Sequence, residues 1–168
     1  MIRITSALVM VSFLSSPVLA ESHLSEGAAM GEAAFKKCQT CHVVVDDDGN
    51  MIAGKKAKTG PNLYGVIGRT AGTYDGFRYG KSIVQAGEAG LVWDQENIVA
   101  YLQDPKKFLR SYLDDPKAKA KMSFKVKADR KNDLTAEQAA LNYYLFLLEI
   151  GPEPEMEEPV DEDTATNG

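Results

Sequence analysis

The sequence predicts an all-α domain of four to five short helices, joined by long loops that a large ligand orders. Two observations point to helices: apolar residues recur at helical spacing at both ends of the body, and the helix starts carry their own capping residues. Strand signals are weak, because Val43-Val44-Val45 runs straight into Asp46-Asp47-Asp48-Gly49. The third observation is a Gly-rich stretch from Asp46 to Gly90, with GPNLYG at 60–65 and no sustained periodicity. A structureless stretch of that length counts against a compact domain unless something other than secondary structure orders it.

The first segment lies outside this domain. Met1 to Ala20 has one basic residue, Arg3, an apolar run from about Ala7 to Leu14, and Val18-Leu19-Ala20 as a small-residue cleavage site. It reads as a secretory leader cut after Ala20, with an uncleaved N-terminal anchor as the alternative. The run is broken by Ser12, Ser15, Ser16 and Pro17, and falls short of the ~18 apolar residues that a membrane span needs. The 148 residues from Glu21 onward suffice for one domain. Residues 21–151 form that domain, and 152–168 a disordered acidic tail.

In the first helix, Gly27, Met30, Gly31, Ala34 and Phe35 fall at helical spacing after Ser25 as N-cap, and Lys36-Lys37 oppose the negative end of the macrodipole. WDQENIVAYLQDP offers Asp94 as N-cap, with Trp93 and Ile98 as a hydrophobic staple. Asp104-Pro105 stops that helix and starts KKFLRSYL as cap plus N1 proline. Asp115-Pro116 repeats the device and predicts one more start. Thr135-Ala-Glu-Gln138 is a capping box opening a helix with Leu141, Tyr144, Leu145 and Leu148 on one face, ended by Gly151 and Pro152.

Charge is unevenly placed. The last seventeen residues carry seven acidic side chains and no basic one, and they lack the apolar content to fold. The rest of the exported chain holds 18 Lys and Arg against 17 Asp and Glu, and Lys106 to Lys131 alone has ten basic residues against three acidic ones. The sequence pI of about 5.1 hides a basic patch.

The only two cysteines stand three residues apart in KKCQTCHVVV, with one of the two histidines directly behind. Cys-x-x-Cys-His reads as covalent attachment of one c-type haem. Both sulfurs must reach vinyl groups on one side of the porphyrin while the next residue swings under the iron, so Cys38 and Cys41 would form thioethers and His42 would be the proximal ligand. A structural zinc site would need four ligands, and beyond these three the exported chain has only His23 among its Cys and His side chains. A thioredoxin-like dithiol would place the pair after a strand, whereas here it follows a helix. What fills the sixth iron position separates an electron carrier from a gas binder or peroxidase. Met30, Met51, Met122 and Met156 remain after the leader. Met122, eighty residues beyond His42, is placed to approach from the opposite side of the ring, although a lone methionine is more often packing than ligand.

GEAAFKKCQTCH, TGPNLYGVIGRTAG, WDQENIVAYLQDPKKF and AKMSF, taken in this order, resemble the class I cytochromes c, and in particular the long bacterial cytochrome c2 type. The resemblance spans about Ala28 to Leu148. It implies the cytochrome c fold, with His42 and Met122 as axial ligands and Pro61 as the carbonyl accepting the imidazole N–H. It also implies Arg69, Tyr79 and Trp93 as propionate partners, Tyr101 beside the methionine sulfur, and Gly31 and Phe35 crossing the last helix at Leu141 and Tyr144. Periodicity alone would make Trp93, Tyr101, Phe35, Leu141 and Tyr144 core residues of any helical domain. The loop of about Val44 to Lys58 and the stretch RSYLDDPKAKA are longer than in the shortest family members, and the acidic tail is not a general family feature.

The resemblance further implies a monomeric periplasmic carrier, not an enzyme. Its donor would be a membrane cytochrome bc complex, and its acceptor a cytochrome oxidase or a photosynthetic reaction centre. The basic patch fits transient docking on acidic partner faces. Export leaves nucleic acid out as a partner.

Overall fold

The computed structural model describes residues 24–152; the leader, His23, Met156 and the acidic residues from Glu153 onward lie outside the described residues. Five helices and one two-stranded ribbon follow in the order α1 (Glu26–Phe35), β1 (Val44–Val45), β2 (Met51–Ala53), α2 (Lys81–Glu88), α3 (Gln95–Gln103), α4 (Pro105–Tyr112) and α5 (Ala136–Glu149).

Capping residues start four of the five helices where the sequence places them. Ser25 Oγ accepts the Ala28 N–H at 3.2 Å while donating to Glu149 at 2.5 Å, which pins the start of α1 to the end of α5. Asp94 accepts the Asn97 N–H at 2.8 Å, and Trp93 and Ile98 are both buried, as a staple requires. Asp104 caps α4 through the Lys107 N–H at 3.1 Å, with Pro105 opening the helix. Its carboxyl also accepts Lys125 Nζ at 2.5 Å, and that bond holds it below the usual carboxylate range. At α5, Thr135 Oγ1 accepts the Gln138 N–H at 3.2 Å while Gln138 accepts the Thr135 N–H at 2.8 Å. Thr135→Ala removes the side-chain acceptor of this box and is expected to lower stability by about 1 kcal/mol in chemical unfolding.

Four expectations change. Val44 and Val45, in a run too short to read as a strand, pair antiparallel with Met51–Ala53. The turn holds itself: Asp46 accepts both the backbone N–H and the side-chain amide of Asn50, at 2.7 and 2.9 Å, and Gly49 adopts φ +85°. Helix α2 stands inside the stretch that showed no periodicity. Its buried face is Ser82, Ile83, Ala86 and Gly87, at helical spacing but with only one large apolar residue, so the stripe is weak in the sequence. Asp115-Pro116 starts a turn and no helix. Asp115 accepts the Lys117 N–H at 2.8 Å, and the chain beyond is held by Arg110 Nε to the Ala118 carbonyl at 3.2 Å and by the Lys119 N–H to Ser82 Oγ at 3.0 Å. Those long-range bonds use backbone groups that a helix would need.

The fourth correction concerns the face of α5. Ala139, Ala140, Tyr143, Phe146 and Leu147 are buried, while Leu141, Tyr144, Leu145 and Leu148 are half-buried around them. Helix α1 therefore crosses α5 with Gly31 against Asn142 and Phe146 and Gly27 against Leu145, which is on the expected face, in place of Leu141 and Tyr144. A Cβ on Gly31 would overlap the Asn142 carbonyl oxygen and stand 2.8 Å from Phe146 Cβ. Phe35 and Phe146 complete the crossing, with ring centroids 5.4 Å apart, and Tyr143 Oη donates to the Ala34 carbonyl at 3.1 Å. This crossing fixes where α1 ends, and so where the cysteine turn begins.

Candidate haem site

Beyond Phe35 the chain folds into one tight turn. The Cys38 carbonyl accepts the N–H groups of both Cys41 and His42, at 3.0 and 2.9 Å, which draws two thiols and an imidazole into a single loop. Both cysteines are free, Cys38 half-buried and Cys41 exposed. Burial pushes the Cys38 thiol up to about 11, with the neighbouring Cys41 adding to the effect. The pair follows a helix, unlike a thioredoxin-type dithiol. Among the described residues, no group of three or more His, Cys, Asp and Glu side chains is placed to hold a metal ion.

His42 is held in one tautomer. Its Nδ1 lies 2.9 Å from the Pro61 carbonyl oxygen, which only accepts, so Nδ1 carries the proton and Nε2 keeps its lone pair. Burial lowers the imidazole pKa, which favours the neutral ring that a metal ligand must be. Gly60 makes room for it: a Cβ there would stand 2.6 Å from His42 Nδ1 and 2.8 Å from Nε2. Asn62 ties the same loop to β1, donating to the Val45 carbonyl at 2.7 Å while its amide oxygen accepts the N–H of Val45 and of Tyr64. Gly60 and Asn62 were not singled out from the sequence, although both lie in TGPNLYG. Only the fold shows what their positions do.

Cys38, Cys41, His42, Pro61, Arg69, Tyr79, Trp93, Tyr101 and Met122 all line one cavity of about 420 Å³. The remaining walls are mostly apolar, and the volume lies within the ~300–1,000 Å³ range of cofactor sites. Met122 sits half-buried on a segment without regular secondary structure, anchored on both sides, by Lys121 Nζ to the Arg78 carbonyl at 2.6 Å and by the Val126 N–H to the Leu102 carbonyl at 2.8 Å. Met51 is 48% exposed on β2 and does not line the cavity. Arg69 donates to the carbonyls of Asn62 and Tyr64 and lies 5.0 Å from the Tyr74 ring centroid, so its charge is braced at the cavity wall. Trp93 and Tyr101 pack with centroids 4.8 Å apart.

A mostly apolar cavity with two thiols, a neutral imidazole with a bare nitrogen, and a thioether in its walls fits a covalently attached haem. Burial also pushes the Tyr101 phenol up to about 12. An unfolded tyrosine titrates near ~10, so the folded chain keeps a proton there that the unfolded chain loses. Stability is full below that pH and falls as pH rises toward 12, by at most ~2.7 kcal/mol from this group. Tyr101→Phe is expected to flatten that alkaline loss relative to the parent protein, measured by unfolding at pH 9 and 11.5.

No family model matches the chain. It is 46% identical over 153 residues to cytochrome c2 of Cereibacter sphaeroides, covering 90% of this chain and 98% of that protein. It is 52% identical over 128 residues to cytochrome c-551 of Roseobacter denitrificans, covering 76% and 88%. Among solved structures, cytochrome c2 from Rhodobacter sphaeroides superposes with a TM-score of 0.69 at 51% identity, covering 76% of this chain and 98% of that one. Ferric cytochrome c-550 from Paracoccus versutus gives 0.64 at 37% identity, covering 74% and 98%. With this similarity added to the fold and to a cavity lined by both cysteines and His42, the chain belongs to the bacterial cytochrome c2 family of class I cytochromes c, electron carriers with one covalent haem c and not enzymes.

Proposed function

We propose that the protein is a periplasmic one-electron shuttle, with Cys38 and Cys41 as the thioether anchors and His42 and Met122 as the axial ligands. The observation that carries this reading is the His42 tautomer: Pro61 occupies Nδ1 and leaves Nε2 bare in a cavity shared with both thiols and Met122. When bound, haem supplies an iron that cycles between Fe(III) and Fe(II). The Met122 thioether is a soft, neutral donor, and together with apolar walls it favours the less charged state and raises the potential. The Pro61 carbonyl fixes the imidazole plane and increases its basicity. Arg69, Tyr79 and Trp93 stand at the wall as partners for propionates, whose charge would otherwise lack compensation. With His42 and Met122 both holding the iron, no position would be left open for a substrate, and the work would be electron transfer.

Residues 1–20 act as a leader that delivers the chain to the periplasm, residues 21–151 form the carrier, and the segment from 152 is an appended tail. Among the described residues, no helix is long and apolar enough to cross a membrane. The carrier works as a monomer between a cytochrome bc complex and a terminal oxidase or photosynthetic reaction centre. Lys37, Lys119 and Lys121 are exposed and line the cavity, so a positive rim surrounds its opening. Charge of this kind steers fast, short-lived encounters with acidic faces. Turnover with such a partner is expected to slow several-fold as ionic strength rises past ~0.15 M, where the Debye length is about 8 Å; stopped-flow kinetics at stepped salt checks it.

The deciding experiment is purification of the exported chain from its native periplasm. A coloured protein that keeps its haem through denaturing electrophoresis supports the reading. A colourless preparation with two titratable thiols overturns it.

A further inference from the structure

The rim of the cavity is lopsided in charge. Four basic residues line the cavity, Lys37, Arg69, Lys119 and Lys121, and among the described lining residues there is no carboxylate. Arg69 and Lys121 each donate to backbone carbonyls, and Asp129 lies near Lys37, but all three lysines are exposed and carry their charge at the cavity. The opposite charge is on the same chain. Sixteen residues follow Pro152, and they hold seven of the exported chain's 24 acidic side chains and none of its basic ones. Without them, the exported body is close to neutral and its rim is positive.

The root of that segment lies next to the site. Helix α5 ends at Glu149, and Pro152 packs beside Gly65, where a Cβ would stand 3.4 Å from Pro152 Cγ and 3.8 Å from Arg69 Nη2. Leu63, Val66 and Arg69, on either side of Gly65, line the cavity. Sixteen residues cover up to ~55 Å when extended and roughly 20–24 Å as a flexible coil. A body of this size has a radius of gyration of only about 14 Å. The whole rim is therefore within reach, at an effective concentration near the millimolar range.

We propose that the acidic segment from Glu153 to Asp163 docks on the lysine rim of its own chain and competes there with acidic redox partners. The inference rests on the docking role proposed above for that rim. A tethered competitor weakens every partner's hold by a similar factor, and salt removes it together with the partner's own attraction. The tail thus tunes how often a complex forms without altering the redox site.

The test uses the reduced, haem-loaded protein in three forms: the full exported chain, a chain ending at Pro152, and a full chain with the seven acids replaced by Gln or Asn. The backbone amides of Lys37, Lys119 and Lys121 are followed by NMR, and binding of polyglutamate is measured alongside. Docking predicts that these amides shift on truncation and on neutralisation, independently of protein concentration, and that the shifts vanish by ~0.3 M salt. It also predicts that polyglutamate binds the truncated chain roughly three- to tenfold more tightly at low salt. Unchanged amide positions overturn the proposal, even if polyglutamate affinity differs, because net charge alone explains that difference. Shifts that grow with protein concentration assign the rim to a second copy's tail and overturn the intramolecular form. The double variant K37Q/K119Q in the truncated chain, which leaves the Lys121 anchor of the Met122 segment intact, separates the two readings. Retained polyglutamate affinity there sinks the rim as a docking face, whereas the amide shifts report on the tail alone.

Discussion

Met122→Ala is expected to abolish the long-wavelength sulfur-to-iron absorption band and to lower the reduction potential by on the order of 100 mV or more, ~2.3 kcal/mol per 100 mV for one electron. A neutral thioether favours Fe(II), and its replacement by water or a stronger donor favours Fe(III). The segment carrying Met122 is tied to Arg78 by the Lys121 side chain and to Leu102 by the Val126 N–H, so the deletion removes the sulfur while both ties remain. Met51→Ala is the control, because Met51 is exposed on β2 and away from the cavity wall; band and potential should both persist. Optical spectra and redox titration of the two variants decide the ligand. A band that survives Met122→Ala would place the sulfur ligand elsewhere.

Gly31→Ala is expected to cost ~3 kcal/mol or more, a large share of the ~5–15 kcal/mol that holds a small domain together. Even one methyl group there would stand 2.7 Å from the Asn142 carbonyl carbon and 2.8 Å from Phe146 Cβ. Much of what it meets is α5 backbone, which cannot swing aside as a side chain would, so the helices must part. Parting them loosens Phe35 against Phe146 and shifts the end of α1, from which the Cys38 turn starts. Guanidinium unfolding is expected to show a lower midpoint for Gly31→Ala, while Glu32→Ala, one position along on the exposed side of the same helix, stays within ~0.5 kcal/mol of the parent.

Much of this architecture was legible because its signals are local. Ser25, Asp94, Asp104 and Thr135 each announce a helix start through a hydrogen bond spanning three residues, and all four bonds form. Cys38, Cys41 and His42 were equally legible, since their spacing is the constraint imposed by the ring they would hold. Helix α2 was not legible, because its buried face is built largely from small residues and its place is set by Ala71 and Thr70, which press against Gly87. The extra start at Asp115-Pro116 failed for the reverse reason. The local cap signal was present, but Ser82, 37 residues away in sequence from Lys119, claimed the backbone that would have continued the helix.

The sequence by itself determined the cap positions, the cysteine–histidine turn and the separation of acidic tail from neutral body, because each depends on neighbours a few bonds apart. Only the tertiary structure decided which face of α5 is buried, that Gly60 yields its side-chain space to His42, and that nine residues scattered from Cys38 to Met122 line one cavity. Those outcomes are set by close packing between segments remote along the chain, where backbones approaching within van der Waals contact choose among several faces that residue spacing alone leaves equivalent.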